Sequence, residues 1–334
     1  MSESNKKINN FLAGIKNNFI LKQIFADFEE NKWLNIIRYN KIIQNRLNID
    51  VKYYKKIYLQ IKIEIFPSKN RKGLFINIPE KKESYFNIFF SGKEGKQKKN
   101  YIEKGDKIKK IIVKIDYGIK SLNKLFKDCL CIKKVNFVRF NRKDSIKNMS
   151  HMFSGCTNLE EINFTKFKTD YVTDMSSMFN GCLSLKKINL SNFNTNNATD
   201  MNSMFCCCSS LRKINLSNFN TDKVTNMMSM FYGCSSLIEL NLSNFNTNKV
   251  ENMSWMFYNC SSLIELEIPN FNINKETDIN YIFYGCSSLK ELNLSNFNTY
   301  NVTNMRWIFS GCSKQLKNKI KSEYKNIKEE AFLG

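Results

Sequence analysis

The chain has 334 residues, enough for one large domain or two to three smaller ones, and 42% of them are apolar, which excludes general disorder. The formal charge of +22 is uneven, because residues 1–150 hold 35 Lys and Arg against 14 Asp and Glu, whereas residues 151–334 hold 17 against 16. Only seven of the 52 basic residues are Arg, the side chain favoured for recognising phosphate and guanine, and this argues against a nucleic-acid partner.

The N-terminal stretch "MSESNKKINNFLAG" lacks the apolar core of a signal peptide, and no apolar run approaches the ~18 residues of a membrane span. We therefore expect a cytoplasmic protein without a membrane span. In that compartment the eleven cysteines are expected to be thiols.

Residues 1–50 have the pattern of a helical module, with two successive apolar faces: Ile20, Leu21, Ile24, Phe25 and Phe28, then Trp33, Leu34 and Ile37. The pattern is loosely similar to an F-box, the module that docks a substrate receptor onto a ubiquitin ligase. Asn18-Phe19 stands where that family usually has Leu-Pro. The resemblance implies a substrate receptor as an alternative function.

Residues 51–118 are predicted to form a basic β-rich segment. Alternating apolar residues in "IKIEIF", "LFINI" and "YFNIFF" indicate a small sheet with Lys-rich connections. A further strand within "KIKKIIVKIDYG" (107–118) is expected to cap the front of the region that follows.

Residues 119–312 repeat with a strict 26-residue period. One column is cysteine and another is phenylalanine: Cys156, Cys182, Cys208, Cys234, Cys260, Cys286 and Cys312, with Phe153, Phe179, Phe205, Phe231, Phe257, Phe283 and Phe309. An earlier unit, Leu122–Phe140, fits with one extra residue and places Cys129 in the cysteine column.

Each unit is predicted to contain a strand and a short helix. The strand "LIELNL" (237–242) buries Leu240 and Leu242 and turns Glu239 outward. In "MSWMFYN" (253–259) the apolar residues at i, i+3 and i+4 indicate one or two helical turns. An Asn or Asp column that includes Asn252 and Asn304 is expected to cap the helix start, and a Gly column that includes Gly233 is expected to end it in the left-handed conformation.

A single unit cannot bury its apolar face, so the units must stack. The predicted fold is an α/β repeat, a right-handed leucine-rich-repeat solenoid with a parallel sheet and short helices, closed by a capping helix over residues 313–334. The repeat L-x-x-L-N-L-S-N-F-N-T-x-x-V-T-x-M-x-x-M-F-x-G-C-x-S closely resembles that of the BspA-like leucine-rich-repeat surface proteins. The resemblance covers about residues 121–312 and implies a non-enzymatic binding scaffold, with an adhesin as a further alternative.

Two sets of outward positions are candidate partner-binding surfaces. On the strands the outward residue varies from unit to unit while the core positions are constant, and such variable positions are where a solenoid would encode specificity. These residues are Glu161, Lys187, Lys213, Glu239, Glu265 and Glu291, with Asn189, Asn215, Asn241 and Glu267. On the helical face the late units carry aromatic residues where the early units have small ones: Tyr232, Trp255, Tyr258, Tyr281, Tyr284 and Trp307.

The sequence offers no catalytic, cofactor-binding or metal-binding set, because the single His has no triad or ligand cluster in the pattern. The cysteine column is expected to fill space in the core. Cys207 stands where other units have Gly, and Cys206 takes an outward position. If any thiol is reactive we expect it to be Cys206, with sequence drift within the repeat as the alternative. We therefore predict a non-enzymatic scaffold without cofactors that binds another protein.

Overall fold

The computed structural model describes residues 10–18, 20–21, 40–48, 59–69, 71–140, 146–273, 277–295, 297, 302 and 305–333. They belong to two compact units, Met1–Gln60 and Ile61–Gly334. The described elements are mainly strands, with few helices.

In the first unit, residues 10–14 are helical and helix α1 spans Lys41–Arg46. Asn40 caps α1 by accepting the Ile43 N–H at 3.1 Å. Within the predicted apolar face Leu21 is buried but Ile20 is exposed, so the prediction for Ile20 is wrong. The other residues of the F-box-like pattern, Ile24, Phe25, Phe28, Trp33, Leu34 and Ile37, lie outside the described residues.

The second unit opens with a five-stranded sheet of order β3-β5-β1-β6-β7. Its strands are β1 (Ile61–Pro67), β3 (Phe86–Phe90), β5 (Ile111–Ile115), β6 (Ile132–Arg139) and β7 (Glu161–Asn163). Pairing is antiparallel from β3 to β6, and β6 pairs with β7 in parallel. The basic segment therefore continues directly into the first strand of the repeats.

Two sequence expectations for this segment need correction. The strand beside the first repeat is β1, not the predicted 107–118 strand, since β5 lies between β1 and β3. Of the predicted strand "LFINI" (74–78) only Leu74 lies in a strand, the two-residue β2 (Gly73–Leu74), which pairs with β4 (Tyr101–Ile102). A 3₁₀ turn at Glu83–Tyr85 leads into β3.

The phenylalanine and cysteine columns form the core of the repeats. Phe231 is fully buried, and its ring stacks on Phe205 at 5.6 Å and on Phe257 at 5.8 Å. All column cysteines are buried, and the seven from Cys156 to Cys312 donate their S–H to the phenylalanine carbonyl of the preceding unit, as Cys260 does to Phe231 at 3.1 Å. The column thiols thus fill space in the core, as predicted, and also join neighbouring units.

The predicted short helices are wrong: these segments are successive turns. Trp255 has a left-handed φ of 56° in the middle of the expected helix, and His151, Ser177, Ser203, Ser229, Tyr281 and Trp307 share that conformation. The Gly column is left-handed as predicted, and so are its replacements Cys207 and Asn259. Two left-handed residues four positions apart in each segment are incompatible with an α-helix.

The backbone hydrogen bonds of these turns run between units rather than along a helix. Phe257 N–H donates to Ile282 O of the next unit at 2.9 Å instead of to the residue four positions earlier. Every second N–H from 149 to 155 likewise donates to a carbonyl oxygen at 174–180, at 2.7–2.9 Å. The N–H groups of this ladder all point towards the C-terminal units.

Polar columns support the same stacking. In the Asn or Asp column Asn252 Oδ1 accepts the Ser254 N–H at 2.9 Å, so these residues cap a turn rather than a helix. Thr221 is buried, donates to Asn246 O at 2.9 Å and accepts the Asn246 N–H at 2.8 Å. Asn304 lies outside the described residues.

The strands of the repeats are short. Among the described residues after β7, only β8 (Glu239–Asn241) and β9 (Glu265–Glu267) pair as parallel strands, so the expected sheet is not continuous. Leu240 is buried in β8 while Glu239 and Asn241 are exposed, as the alternation predicts. The turns hold the units in register more continuously than the strands do.

The two ends of the stack are closed by different groups. At the front, Asn77 N–H donates to Leu125 O at 2.7 Å, and its side-chain amide donates to Lys127 O at 2.7 Å. At the back, Met305 N–H donates to the Glu330 carboxylate at 3.1 Å, and Phe309 N–H donates to Ala331 O at 2.8 Å.

The predicted C-terminal capping helix is shorter than its sequence range. Helix α2 spans only Lys314–Glu323, with Ser313 as its N-cap, and a 3₁₀ turn follows at Glu329–Phe332. This turn supplies the acceptors of the last unit, and its Phe332 ring stacks on Phe309 at 5.4 Å.

Candidate functional site

The first candidate surface, here named the strand face, is the set of outward strand positions given above. All of these side chains are exposed. Several are already paired within the chain, since Lys213 binds Glu239 at 2.7 Å, Lys134 binds Glu161 at 2.7 Å, and the Asn241 amide donates to Glu267. Their role in binding a partner stays a prediction.

The Asn positions of the strand face also have a structural role. Asn189 Oδ1 accepts the Ser191 N–H at 3.0 Å, and Asn215 does the same for Ser217. Each side chain thereby accepts a backbone N–H at the point where the loop after the strand position begins. This face is therefore polar, partly self-paired and solvated.

The second candidate surface is formed by the turns that follow the Asn or Asp column. We name it the turn wall and define it as residues 149–158, 175–184, 201–210, 227–236, 253–262, 279–288 and 305–312. In a chain with 25% charged residues, these stretches contain no Lys, Asp or Glu. Their basic side chains are His151, whose pKa is lowered chiefly by burial, and Arg306, which lies 3.8 Å from Glu330.

Six aromatic side chains form two adjacent files on the late part of the turn wall. In the tyrosine file the ring centroids of Tyr232, Tyr258 and Tyr284 are 4.8 and 4.6 Å apart, with planes within 5° of parallel. In the tryptophan file Trp255, Tyr281 and Trp307 are spaced by 6.0 and 5.2 Å. The structure thus brings all six predicted aromatic site residues together.

The two files touch each other through inclined rings. Tyr281 meets Tyr258 at 6.4 Å and Tyr284 at 5.9 Å with planes inclined by about 60°. Tyr258 and Tyr281 each have both faces covered by neighbours in their own file. All six side chains are half-buried, and burial, followed by the neighbouring tyrosines, raises the pKa of Tyr258.

The thiols of Cys206 and Cys207 lie 3.6 Å apart at the end of the tyrosine file. The pKa of Cys207 is lowered to about 7 because Cys206 donates a hydrogen bond to it, whereas the pKa of Cys206 is raised. Cys207 is therefore the more acidic thiol of the pair, whereas the sequence pattern singled out Cys206. Sequence reasoning missed it because it treated Cys207 only as a replacement for glycine.

Other chemistry finds little support in the part of the chain that the structure describes. There, no three His, Cys, Asp or Glu side chains come close enough together to hold a metal ion. All eleven cysteines are free thiols. None of the described helices combines the length and apolar character needed to cross a membrane.

A family model described as "Mycoplasma protein of unknown function, DUF285" matches residues 120–239 and 235–330. The chain belongs to this family. The matched residues of this DUF285 protein include the repeat units that build both candidate surfaces. No curated protein matches the chain.

The solved structures to which this DUF285 chain is similar include leucine-rich-repeat proteins of bacteria. The T. pallidum leucine-rich-repeat protein is 20% identical, with 64% of this chain and 79% of that chain covered and a TM-score of 0.38. A leucine-rich-repeat protein from Eubacterium ventriosum is 19% identical, with 53% and 46% covered and a TM-score of 0.36. One from Bacteroides ovatus is 15% identical, with 60% and 65% covered and a TM-score of 0.24.

These matches confirm the predicted resemblance to bacterial leucine-rich-repeat proteins. Their low TM-scores support no comparison of overall shape. The candidate surfaces are therefore judged on their own residues.

Proposed function

We propose that the protein is a non-enzymatic scaffold that binds another protein through the late part of its turn wall. The observation that supports this proposal is the cluster of six half-buried aromatic side chains on a wall without Lys, Asp or Glu. The centres of protein interfaces have this composition, since charged residues are depleted there and Tyr and Trp are enriched.

The geometry of the aromatic files favours a protein over a ligand that stacks on rings. Tyr258 and Tyr281 have both faces covered, so a nucleic-acid base or another planar group cannot lie on them. Their ring edges carry the positive end of the ring quadrupole, and the phenol groups can form hydrogen bonds. Backbone carbonyl groups and aromatic faces of a partner protein complement such edges.

The strand face is the weaker candidate for the centre of the interface. It is charged, and Lys213 and Glu239 already satisfy each other at 2.7 Å. Exposed charges of this kind contribute little affinity and act mainly on association rate and specificity.

We further propose that the units form a right-handed solenoid and that the protein is cytoplasmic. Hydrogen bonds that join residues about 26 positions apart support the stacked solenoid, and the strong preference of parallel crossover connections for the right hand supports its handedness. The free state of all eleven cysteines supports the cytoplasmic location.

The test is site-specific cross-linking of the full chain in native lysate. A photoreactive phenylalanine analogue replaces Tyr258 in one variant and Glu239 in another, so that each candidate surface carries one probe. We expect one discrete partner band from Tyr258 and none from Glu239. A band from Glu239 alone would assign binding to the strand face, and no saturable band from either would contradict the scaffold function.

A matched variant separates binding from folding. Trp255→Ser, Tyr281→Ser and Trp307→Ser together give the late units the residue that Ser177, Ser203 and Ser229 already provide in that column. The fold should therefore persist, while loss of a hot-spot side chain costs about 2 kcal/mol or more, roughly 30-fold in Kd. Unchanged cross-linking from Tyr258 in this variant would contradict the proposed surface.

A further inference from the structure

A cleft of about 1000 Å³ opens in the basic β-rich segment, far in sequence from the aromatic files. One wall is the loop that follows β1, and the other is the stretch from the end of β4 towards β5. Pro67, Ile102 and Ile108 are its apolar lining, and Ile102 is buried. A cleft of this size matches the sites that hold small molecules in proteins.

Six basic side chains line this cleft, and all of them are exposed: Lys69, Arg71, Lys72, Lys104, Lys107 and Lys109. Among the described residues none of the six has a carboxylate within salt-bridge distance. Their charges therefore remain available to a ligand.

The cleft also contains two carboxylates, and both are engaged by lysines that do not line it. Asp106 binds Lys99 at 2.9 Å and Lys93 at 3.6 Å, and it accepts the Glu103 N–H at 3.0 Å. Glu103 lies 3.4 Å from the same Lys99. These contacts lower the pKa of Asp106 to about 2, chiefly through the hydrogen bond from Lys99. The two negative charges are thus compensated from outside, and the lining keeps its positive excess.

The strands beside the cleft hold its walls in place. β1 pairs with β5 over Ile61–Ile65 and Ile111–Ile115, which fixes the start of one wall and the end of the other. β2 pairs with β4 through Gly73 and Ile102. The six cationic residues therefore lie on anchored loops around one concave space, where like charges concentrate the local potential.

We propose that this cleft binds a multiply phosphorylated small molecule. The lysine ammonium group is a compact positive charge, and phosphate oxygens can accept hydrogen bonds from several such groups at once. A ligand with a single carboxylate would leave most of the six positive charges uncompensated. The apolar lining can cover a ring or short chain attached to the phosphates. A single nucleic-acid strand fits less well, because the lining includes no aromatic side chain on which bases could stack.

The experiment is isothermal titration of the full chain with inorganic tripolyphosphate, with adenosine triphosphate and with a single-stranded oligonucleotide, each at low and moderate salt. The test variant carries Lys104→Gln, Lys107→Gln and Lys109→Gln. The control variant carries Lys82→Gln, Lys96→Gln and Lys98→Gln, which removes the same charge from exposed positions outside the lining. Thermal unfolding of both variants checks that they are folded.

We expect one binding site for tripolyphosphate, with Kd raised at least about tenfold in the test variant and by no more than about twofold in the control. Equal weakening in both variants would assign the effect to diffuse charge and overturn the proposal. Absence of saturable binding would overturn it as well. Preference for a single-stranded oligonucleotide over tripolyphosphate would replace it by a nucleic-acid surface.

Discussion

The stacked phenylalanine column makes a quantitative prediction for Phe231→Ala. Phe231 is fully buried and is held between two parallel rings at 5.6 and 5.8 Å. Replacing a buried Phe by Ala costs about 3–5 kcal/mol of unfolding free energy. Each lost ring pair contributes about 0.5–1.5 kcal/mol beyond its buried area, so the upper part of that range is expected.

The control for this prediction is Glu239→Ala, at an exposed position of β8 next to the buried Leu240. Glu239 is exposed, and among the described residues its side chain pairs only with exposed Lys213, an interaction worth roughly 0–1 kcal/mol. Urea unfolding is followed by circular dichroism for the whole chain and by tryptophan fluorescence in a Trp33→Phe background, which leaves Trp255 and Trp307 as the reporters. Equal costs for the two variants would refute the assignment of the phenylalanine column to the core.

Further predictions concern the closed end, the thiol pair and one carboxylate. Glu330→Ala should lower the free energy of unfolding by about 1–3 kcal/mol and speed hydrogen exchange at Met305, because that N–H loses its acceptor, whereas Glu330→Gln retains an acceptor and serves as the control. Alkylation by iodoacetamide, mapped by mass spectrometry, should occur first at Cys207 with a midpoint near pH 7, and Cys206→Ala should move that midpoint upward; first labelling at Cys206 would contradict the assignment. The folded-state pKa of Asp106 is lowered to about 2, so its contribution to stability is complete above the unfolded value of about 4 and is lost as the pH falls towards 2. Thermal unfolding should therefore show that Asp106→Asn is destabilising at pH 7 and progressively less so below pH 4.

The sequence predicted which side chains face the core, because the 26-residue columns report burial directly. Phe231 and Cys260 are buried and Glu239 is exposed, as expected. The left-handed Gly column followed from the ease with which glycine adopts that conformation. The six aromatic site residues followed from their shared columns.

The backbone of the turns could not be predicted in the same way. Met253, Met256 and Phe257 face inward at a spacing that a helix and a series of turns share. What separates the two is the destination of the N–H groups, and the acceptor of Phe257 N–H lies 25 residues ahead at Ile282. A pattern read along the chain contains no information on such a partner. The order of acidity of Cys206 and Cys207 was missed for the same reason, since it depends on the direction of one hydrogen bond.

The one-way ladder of the turns has a consequence for how copies of the chain avoid each other. Because its N–H groups all point towards the C-terminal units, the front of the stack is an acceptor end and the back is a donor end. Two donor ends, or two acceptor ends, cannot pair, but a donor end and an acceptor end can, as monomers do in a polar fibre. Asn77 donates to a carbonyl oxygen of the acceptor end, and the Glu330 carboxylate accepts an N–H of the donor end. The two residues thereby oppose head-to-tail polymerisation of the chain.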